Sequence, residues 1–491
     1  MSKHDRSVDV IDGALAKPLL LLSAPIVASQ VLNVGYNLAD TYWVGRLGPE
    51  AVAALSYAWP IVFLMVSVGG GLTVAGTVLV AQHKGAGSFV QSHHVAGQTL
   101  SFVTLVAAVF AAVGYVLTPW LVSVIGATPG TDPYTFAVQY TRIVFLGIAF
   151  MFWFFIFDAL SRGWGDTKTP LYLMVISVAL NVVLDPFLIL GFSGNPVFGW
   201  VGLSGLEATL HSLTGFSGYG VTGAAIATVF SRGTAAAVGL YLLFSGSVGL
   251  EPSFDDLRPD PETIREILDI GAPTAAEQGL RGLGIAALTA IIALAGDDAV
   301  AAYGIVNRLS SLLFLPALGL ARGTETVVGQ NLGADQVERA KRAVYVSGVV
   351  VVSIFAVVTA LAYPFAEGIV GFFLAAGGGE STESVIEIGA AYITIAGPAY
   401  LFLGVFQIAL GGFRGSGSTR LAMVFSTQEL WLYRIPISYA LLVWVGMGVT
   451  GVWYAVAISY VLSALTTCAW FLRGTWTEGV VDRAPHPTPG D

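Results

Sequence analysis

Asp185 stands in the run "NVVLDPFLIL" (181–190), with Asn181 four residues before it and apolar residues on both sides. A carboxylate in hydrocarbon costs about 2.5–3.5 kcal/mol on insertion scales, so its first reading is a functional site. A second acid, Asp40, belongs to "NVGYNLADTY" (33–42). There Asn33, Tyr36, Asn37 and Asp40 recur at i, i+3, i+4 and i+7 and share one helix face. With a rise of about 1.5 Å per residue, Asp185 lies about 9 Å below the outer end of its helix, and Asp40 a similar depth below its own. Thr228, in "GAAIATVFSR", is about 12 Å deep by the same count. Three helices thus bring oxygen donors to a shared depth, with Asn181 one turn further in. Asp40, Asn181, Asp185 and Thr228 can hold a hard cation such as Na⁺ through oxygen ligands, or the two acids can share protons.

Other polar residues have a structural alternative. Asp158 has Arg162 at i+4 and either adds a charge to the site or pairs with that arginine. Asn33, Tyr36 and Asn37 line a cavity or serve packing. Glu277 and Arg281 are spaced to pair, and Glu429 and Arg434 form a second such couple. Trp153, Phe154, Phe155, Trp431 and Tyr433 face either a cavity or the lipid interface.

The elements that carry these residues are spanning helices. Of the 491 residues, 55% are hydrophobic and 11% charged, and the mean hydropathy is +0.77. A soluble domain has about 25% charged residues, so the fold class is an all-α polytopic membrane protein. Twelve apolar runs lie at 18–44, 52–82, 93–118, 136–160, 169–191, 220–245, 262–295, 299–322, 340–364, 386–411, 421–446 and 448–472. Lys and Arg concentrate in the loops on the side of the termini, while the opposite loops carry essentially Arg46 alone. Both termini are therefore expected in the cytoplasm and the protein in the plasma membrane. The polar N-terminus has no removable signal peptide pattern. The lone Cys468 excludes an intramolecular disulfide. No P-loop or HExxH motif occurs, and the six histidines fall mostly in loops, which argues against an enzyme or an ATP-driven pump. The net charge of −9 gathers in the few exposed segments, which points to a salt-loving, archaeal-type host.

The chain repeats itself. "SAPIVASQVL" (23–32) pairs with "GAPTAAEQGL" (271–280), an offset of 273 − 25 = 248 between Pro25 and Pro273. The same offset pairs "VAQHKGAG" (80–87) with "VGQNLGAD" (328–335), and 252 pairs "SRGWGDTK" (161–168) with "FRGSGSTR" (413–420). Two pseudo-symmetric six-helix lobes follow, related by an axis along the membrane normal. They are 15–245 and 262–473, with a cytoplasmic linker at 246–261 and a disordered tail at 474–491. About 24 extra residues in the first lobe, 193–216, form an outer loop. Asp40 maps to Leu288 and Asp185 to Ile437, so the acids are not duplicated and a coupling-ion site belongs to lobe one alone.

"LADTYWVGRLGPEAVAAL", "VLVAQHKGAG", "LSRGWGDTKTP", "NVVLDPFLILG", "GAAIATVFSR", "GQNLGAD" and "FRGSGSTR", in this order, resemble the multidrug and toxic compound extrusion (MATE) transporters over nearly all of 15–473. An Asp in helix 1 with Asn-x-x-x-Asp in helix 5 resembles the DinF-type branch. The resemblance implies an antiporter that expels amphipathic, cationic or aromatic compounds against H⁺ or Na⁺. It assigns the coupling cation to Asp40, Asn181, Asp185 and Thr228, and bending of helix 1 to Pro25. The branch often has Asn where this chain has Asp158. The NorM-type branch has acids in helices 7 and 10, but helix 10 offers only Glu387 at its edge and Glu277 is displaced. Membrane lipid and small molecules are the expected partners of a monomer, with no cofactor and no nucleic acid. A lipid-linked oligosaccharide flippase of the same superfamily is the alternative. It would need cationic cavity residues, for which Arg281 and Arg434 are the candidates.

Overall fold

In lipid every backbone polar group must be satisfied within the protein, so runs as apolar as these fold as helices. The computed structural model describes residues 7–374 and 380–480, and it contains no strand among them. Lobe one comprises helix 1 (Ala16–Gly45), helix 2 (Pro49–Gly85), helix 3 (Phe89–Val124), helix 4 (Asp132–Leu146 with Ile148–Trp164), helix 5 (Lys168–Leu190) and helix 6 (Val221–Phe244). Lobe two comprises helix 7 (Pro261–Ala293), helix 8 (Asp297–Gly333), helix 9 (Val337–Ala362), helix 10 (Glu380–Ala396 with Tyr400–Gly415), helix 11 (Thr419–Thr427 and its continuation to 444) and helix 12 (Val449–Phe471). Among the described residues, eight spans are long and apolar enough by themselves, and helices 4 and 8 pass as bent pairs. Helices 7 and 11, which carry Glu277, Arg281, Glu429 and Arg434, complete the twelve.

The irregular points have local causes. Helix 4 bends by 52° at Gly147, where a Cβ would lie 2.3 Å from Val229 of helix 6, so the bend is set by close packing. Helix 11 winds as a π-helix over Gln428–Arg434 and again over Ala440–Trp444. The expected outer loop is not a span, but it carries two short helices, Pro196–Trp200 and Ser204–Thr214.

Each lobe has its own apolar core, one around Phe152, Phe157 and Leu160 and the other around Trp453, Phe406 and Phe413. The lobes also exchange contacts. Helix 7 packs along helix 2 and helix 1 along helix 8. Gly71 lets helix 7 in so closely that a Cβ would lie 2.4 Å from the Ala275 nitrogen.

The chain ends are tied down. Val10 and Leu15 are buried, and the Val10 carbonyl accepts from Asn331 Nδ2 (3.1 Å) and Arg339 Nη2 (3.1 Å) of lobe two. The tail corrects an expectation of disorder at 474–491. Trp476 is fully buried on Phe471, and Val480 N donates to Gln82 Oε1 (2.8 Å), so this part of the tail is packed. Residues 481–491 lie outside the described residues.

Candidate functional site

Helices 1, 5 and 6 of lobe one pack together. Their polar residues meet as the i+3/i+4 spacing demands. Asn181 and Asp185 are fully buried, and Asn181 Nδ2 donates to Asp185 Oδ1 at 3.0 Å. Tyr36 OH donates to Thr228 Oγ1 at 2.7 Å, which ties helix 1 to helix 6. Asp40 is 8% exposed and lies close enough to Asp185 for their charges to interact. Asp40 Oδ1, Asp185 Oδ2 and Asn181 Oδ1 are buried oxygens without a hydrogen-bond partner. Most buried acceptors in folded proteins are satisfied, so three orphans in one place need a physical reason. An all-oxygen donor set of this kind fits a proton or a hard monovalent cation.

Beside this cluster, between the lobes, lies a cavity of about 1080 Å³. Asn33, Tyr36, Asn37, Asp40 and Thr228 line it, whereas Asn181 and Asp185 sit behind its wall. Asn37 Nδ2 donates to the Asn33 carbonyl (2.9 Å), so its amide is engaged with its own helix. Phe154 and Phe155 line the cavity, but Trp153 turns away and donates to Thr104 Oγ1 (2.8 Å). Trp431 Nε1 donates to the Leu280 carbonyl (3.0 Å).

Asp158 takes the second of its two expected roles geometrically. Its carboxylate accepts from Arg162 Nη1 and does not join the Asp40 cluster. Glu277 corrects a pairing. Its partner is Arg414 of helix 10 (2.5 Å), not Arg281, whose guanidinium lies 5.6 Å from the Phe314 ring centre. Glu429 and Arg434 do pair, and Arg434 Nε also donates to Ser459 Oγ (3.2 Å).

One residue of the site escaped the sequence reading. Arg232 lies midway along helix 6, one turn after Thr228 on the same face, and is 5% exposed. Its spacing was a visible signal. Arg162 and Arg232 line the cavity together with Asp40 and Asp158, so the interior of lobe one carries both signs of charge.

The cavity is sealed on the face that carries both chain ends. Gln82 Nε2 of lobe one donates to the Gly415 carbonyl of lobe two (3.1 Å). Gln330 Nε2 of lobe two donates to the Gly163 carbonyl of lobe one (2.8 Å). Glycines permit the approach, since a Cβ on Gly85 would lie 1.9 Å from the Gln330 oxygen and one on Gly333 2.0 Å from the Gln82 oxygen.

Two six-helix lobes around a polar cavity, sealed at one face, define a membrane transporter rather than an enzyme. A family model described as MatE matches residues 25–187 and again 273–440, once per lobe. The chain belongs to the MatE family. It is 28% identical over 473 residues to the probable multidrug resistance protein YoeA of Bacillus subtilis, with 95% of each chain covered. It is 26% identical to the multidrug export protein MepA of Staphylococcus saprophyticus, covering 91% of this chain and 92% of that one. Its fold matches the outward-facing conformation of a multidrug resistance MATE family transporter with a TM-score of 0.83 at 23% identity, over 97% of this chain and 100% of that one.

Proposed function

We propose that this protein exports amphipathic, aromatic small molecules across the plasma membrane in exchange for H⁺ or Na⁺. The observation that carries the reading is the set of orphaned oxygens on Asp40, which lines an interlobe cavity, and on Asn181 and Asp185 behind its wall. The names of the curated relatives, a multidrug resistance and a multidrug export protein, support export over lipid flipping. In this reading a cation or proton enters at Asp40, Asn181, Asp185 and Thr228, as in the DinF-type branch. Loading the site removes net charge from the wall. Helix 1 can then repack against its neighbours, with Pro25 inside it providing the bend. Alternating access follows when the sealed face opens and the outer face closes around the cavity. The basic loops favour cytoplasmic termini, and the protein acts as a monomer.

The test is efflux of a fluorescent amphipathic dye from liposomes holding the purified full-length protein, with Na⁺ and H⁺ gradients imposed separately. One gradient should drive efflux in the wild type, and Asp40→Asn and Asp185→Asn should lose that response. Variants that respond like wild type would reduce the cluster to a structural hydrogen bond.

A further inference from the structure

Arg232 is a buried cation without a counter-ion. Its Nη2 donates to Asn33 Oδ1 (2.8 Å), and its Nη1 lies 3.0 Å from Met174 Sδ, a weak acceptor. The Tyr36 and Phe154 ring centres are each 5.2 Å from the guanidinium carbon. All four partners are neutral, and among the described residues Arg232 makes no ion pair. Three other enclosed arginines form ion pairs: Arg162 with Asp158, Arg414 with Glu277 and Arg434 with Glu429. The last contrast is the closest, because Tyr460 holds the position of Arg232 in lobe two and the Arg434 guanidinium lies 4.5 Å from its ring centre. Lobe two supplies its stacked arginine with a carboxylate, and lobe one does not.

A guanidinium held away from water is costly unless an anion meets it. Arginine is suited to that role, since its planar fork matches carboxylate and phosphate oxygens and its face stacks on rings. The surroundings have the same sign. With the Arg162–Asp158 and Arg414–Glu277 pairs set aside, the cavity lining holds three arginines (232, 308 and 322) against two carboxylates (Asp40 and Glu325). A coupling cation at Asp40 would widen that excess.

We propose that Arg232 binds an anionic group, a carboxylate or phosphate, on the compound this protein transports, with the Tyr36 and Phe154 rings packing against its aromatic part. The proposal rests on the export reading and specifies its substrate class, displacing the cationic substrates suggested by the sequence. It also links substrate to coupling. Tyr36 stacks on Arg232 and bonds Thr228, so the anion and the coupling site share one wall.

The test uses two xanthene dyes of opposite charge, carboxyfluorescein and a rhodamine ethyl ester. Each is offered to the purified full-length protein, for binding by fluorescence polarisation and for gradient-driven transport in liposomes. The expected result is binding and transport of carboxyfluorescein in preference to the rhodamine ester. Arg232→Gln should weaken carboxyfluorescein binding by about tenfold or more, the range of a lost charge-assisted hydrogen bond, and spare the rhodamine ester. Arg232→Lys should recover part of the loss. Because the ratio between dyes is read in one preparation, partial misfolding of a variant does not move it. Transport of the rhodamine ester alone, or an unchanged ratio in Arg232→Gln, overturns the anion site and leaves export standing. Transport of neither dye under either gradient counts against the export reading and takes the anion site with it. Free inorganic phosphate that fails to compete with bound carboxyfluorescein, while a phosphorylated aromatic does, identifies the amphipathic compound as the source of the anion.

Discussion

The two lobes have nearly the same framework and different chemistry. Residues that occupy matching positions and do the same work lie where the lobes touch. Gln82 and Gln330 each donate to the opposite lobe, Gly163 and Gly415 accept, and Gly85 and Gly333 make room. Arg162 and Arg414 both hold a carboxylate. The residues that differ line or back the cavity in lobe one. Leu288 stands opposite Asp40, Tyr433 opposite Asn181, Ile437 opposite Asp185, Val456 opposite Thr228 and Tyr460 opposite Arg232. A seal on a pseudo-twofold axis needs both copies, because each half closes the other. A site off that axis needs only one copy, and a second set of buried acids would carry its own desolvation cost.

The largest effect should come from breaking the unmatched side. Asp40→Asn and Asp185→Asn should each abolish gradient-driven efflux, a fall of roughly a hundredfold or more if each removes a ligand that exists only in the coupled state. Adding Leu288→Asp to Asp40→Asn should restore nothing, since lobe two lacks the partners at Tyr433, Ile437 and Val456. Recovery in that double variant would show that either lobe can host the cation and would erase the comparison.

The next effect should be steric. Gly85→Ala and Gly333→Ala each drive a methyl into an opposing carbonyl oxygen at about 2 Å, so both should prevent the seal from closing. A cysteine introduced at the sealed face in a Cys468→Ser background should label several-fold faster in either variant. Gln82→Ala and Gln330→Ala come third. Gln330→Ala removes one interlobe hydrogen bond and Gln82→Ala removes two, to Gly415 and to Val480 of the tail, each worth about 0.5–1.5 kcal/mol, so labelling should quicken by about two- to tenfold per bond. Gln82→Ala should therefore have the larger effect, although the Gln82–Gly415 and Gln330–Gly163 bonds are copies of one contact. A large effect in one and none in the other would mean that the seal is held by one lobe.

The sequence carried the helices and the repeat because hydropathy over twenty residues and a constant register are local or self-similar signals. Asn181 with Asp185 was legible for the same reason, as i and i+4 always share a face. The Glu277–Arg414 pair was not, because the two residues are 137 apart and Arg281 at i+4 offered a plausible local partner. Spacing gave the depth and face of Thr228, and Arg232 one turn on had the same face. What spacing could not provide was the counter-ion, whose absence is visible only when neighbouring helices are assembled. The start of the tail was misjudged because a polar, charged composition suggests disorder, yet Trp476 anchors it between Phe471 just before it and Phe413 of helix 10.

The smallest effect concerns the segments that lead into helix 1 and helix 7, which are copies by position and cross the interface in opposite directions. The first, residues 7–15, is held on lobe two by Asn331 and by Arg339, which donates to the Val10, Asp12 and Gly13 carbonyls. No carboxylate takes part in those interlobe bonds, so acid should leave them intact, although within the segment Asp9 Oδ1 accepts from Ile11 N (2.9 Å) and Asp12 N (3.4 Å). The second, the linker, is held on helix 3 of lobe one. Gln98 Nε2 donates to the Asp256 and Arg258 carbonyls (2.7 and 2.6 Å), and His94 lies 3.1 Å from Asp256 and 3.6 Å from Asp260. Slight burial would raise the Asp256 carboxyl, but hydrogen bonds from Ser253 and His94 and the His94 charge outweigh it and hold it below the ordinary value of 3.8. A carboxyl lowered by folding stabilises the folded form above its unfolded value, and that contribution is lost as the pH falls through the folded value. Asp256 is partly exposed, so the contribution should be below about 1 kcal/mol. Hydrogen exchange at about pH 5 and about pH 3 should therefore show the linker amides near 253–260 losing protection while those of 7–15 other than Ile11 and Asp12 keep theirs. Asp256→Asn should shrink the difference between the two pH values, leaving the part due to Asp260, whose carboxyl is held down by hydrogen bonds from Thr263 and Glu262. Equal loss in both segments would mean that acid loosens the whole face, and that the two crossings are held by the same forces despite their different side chains.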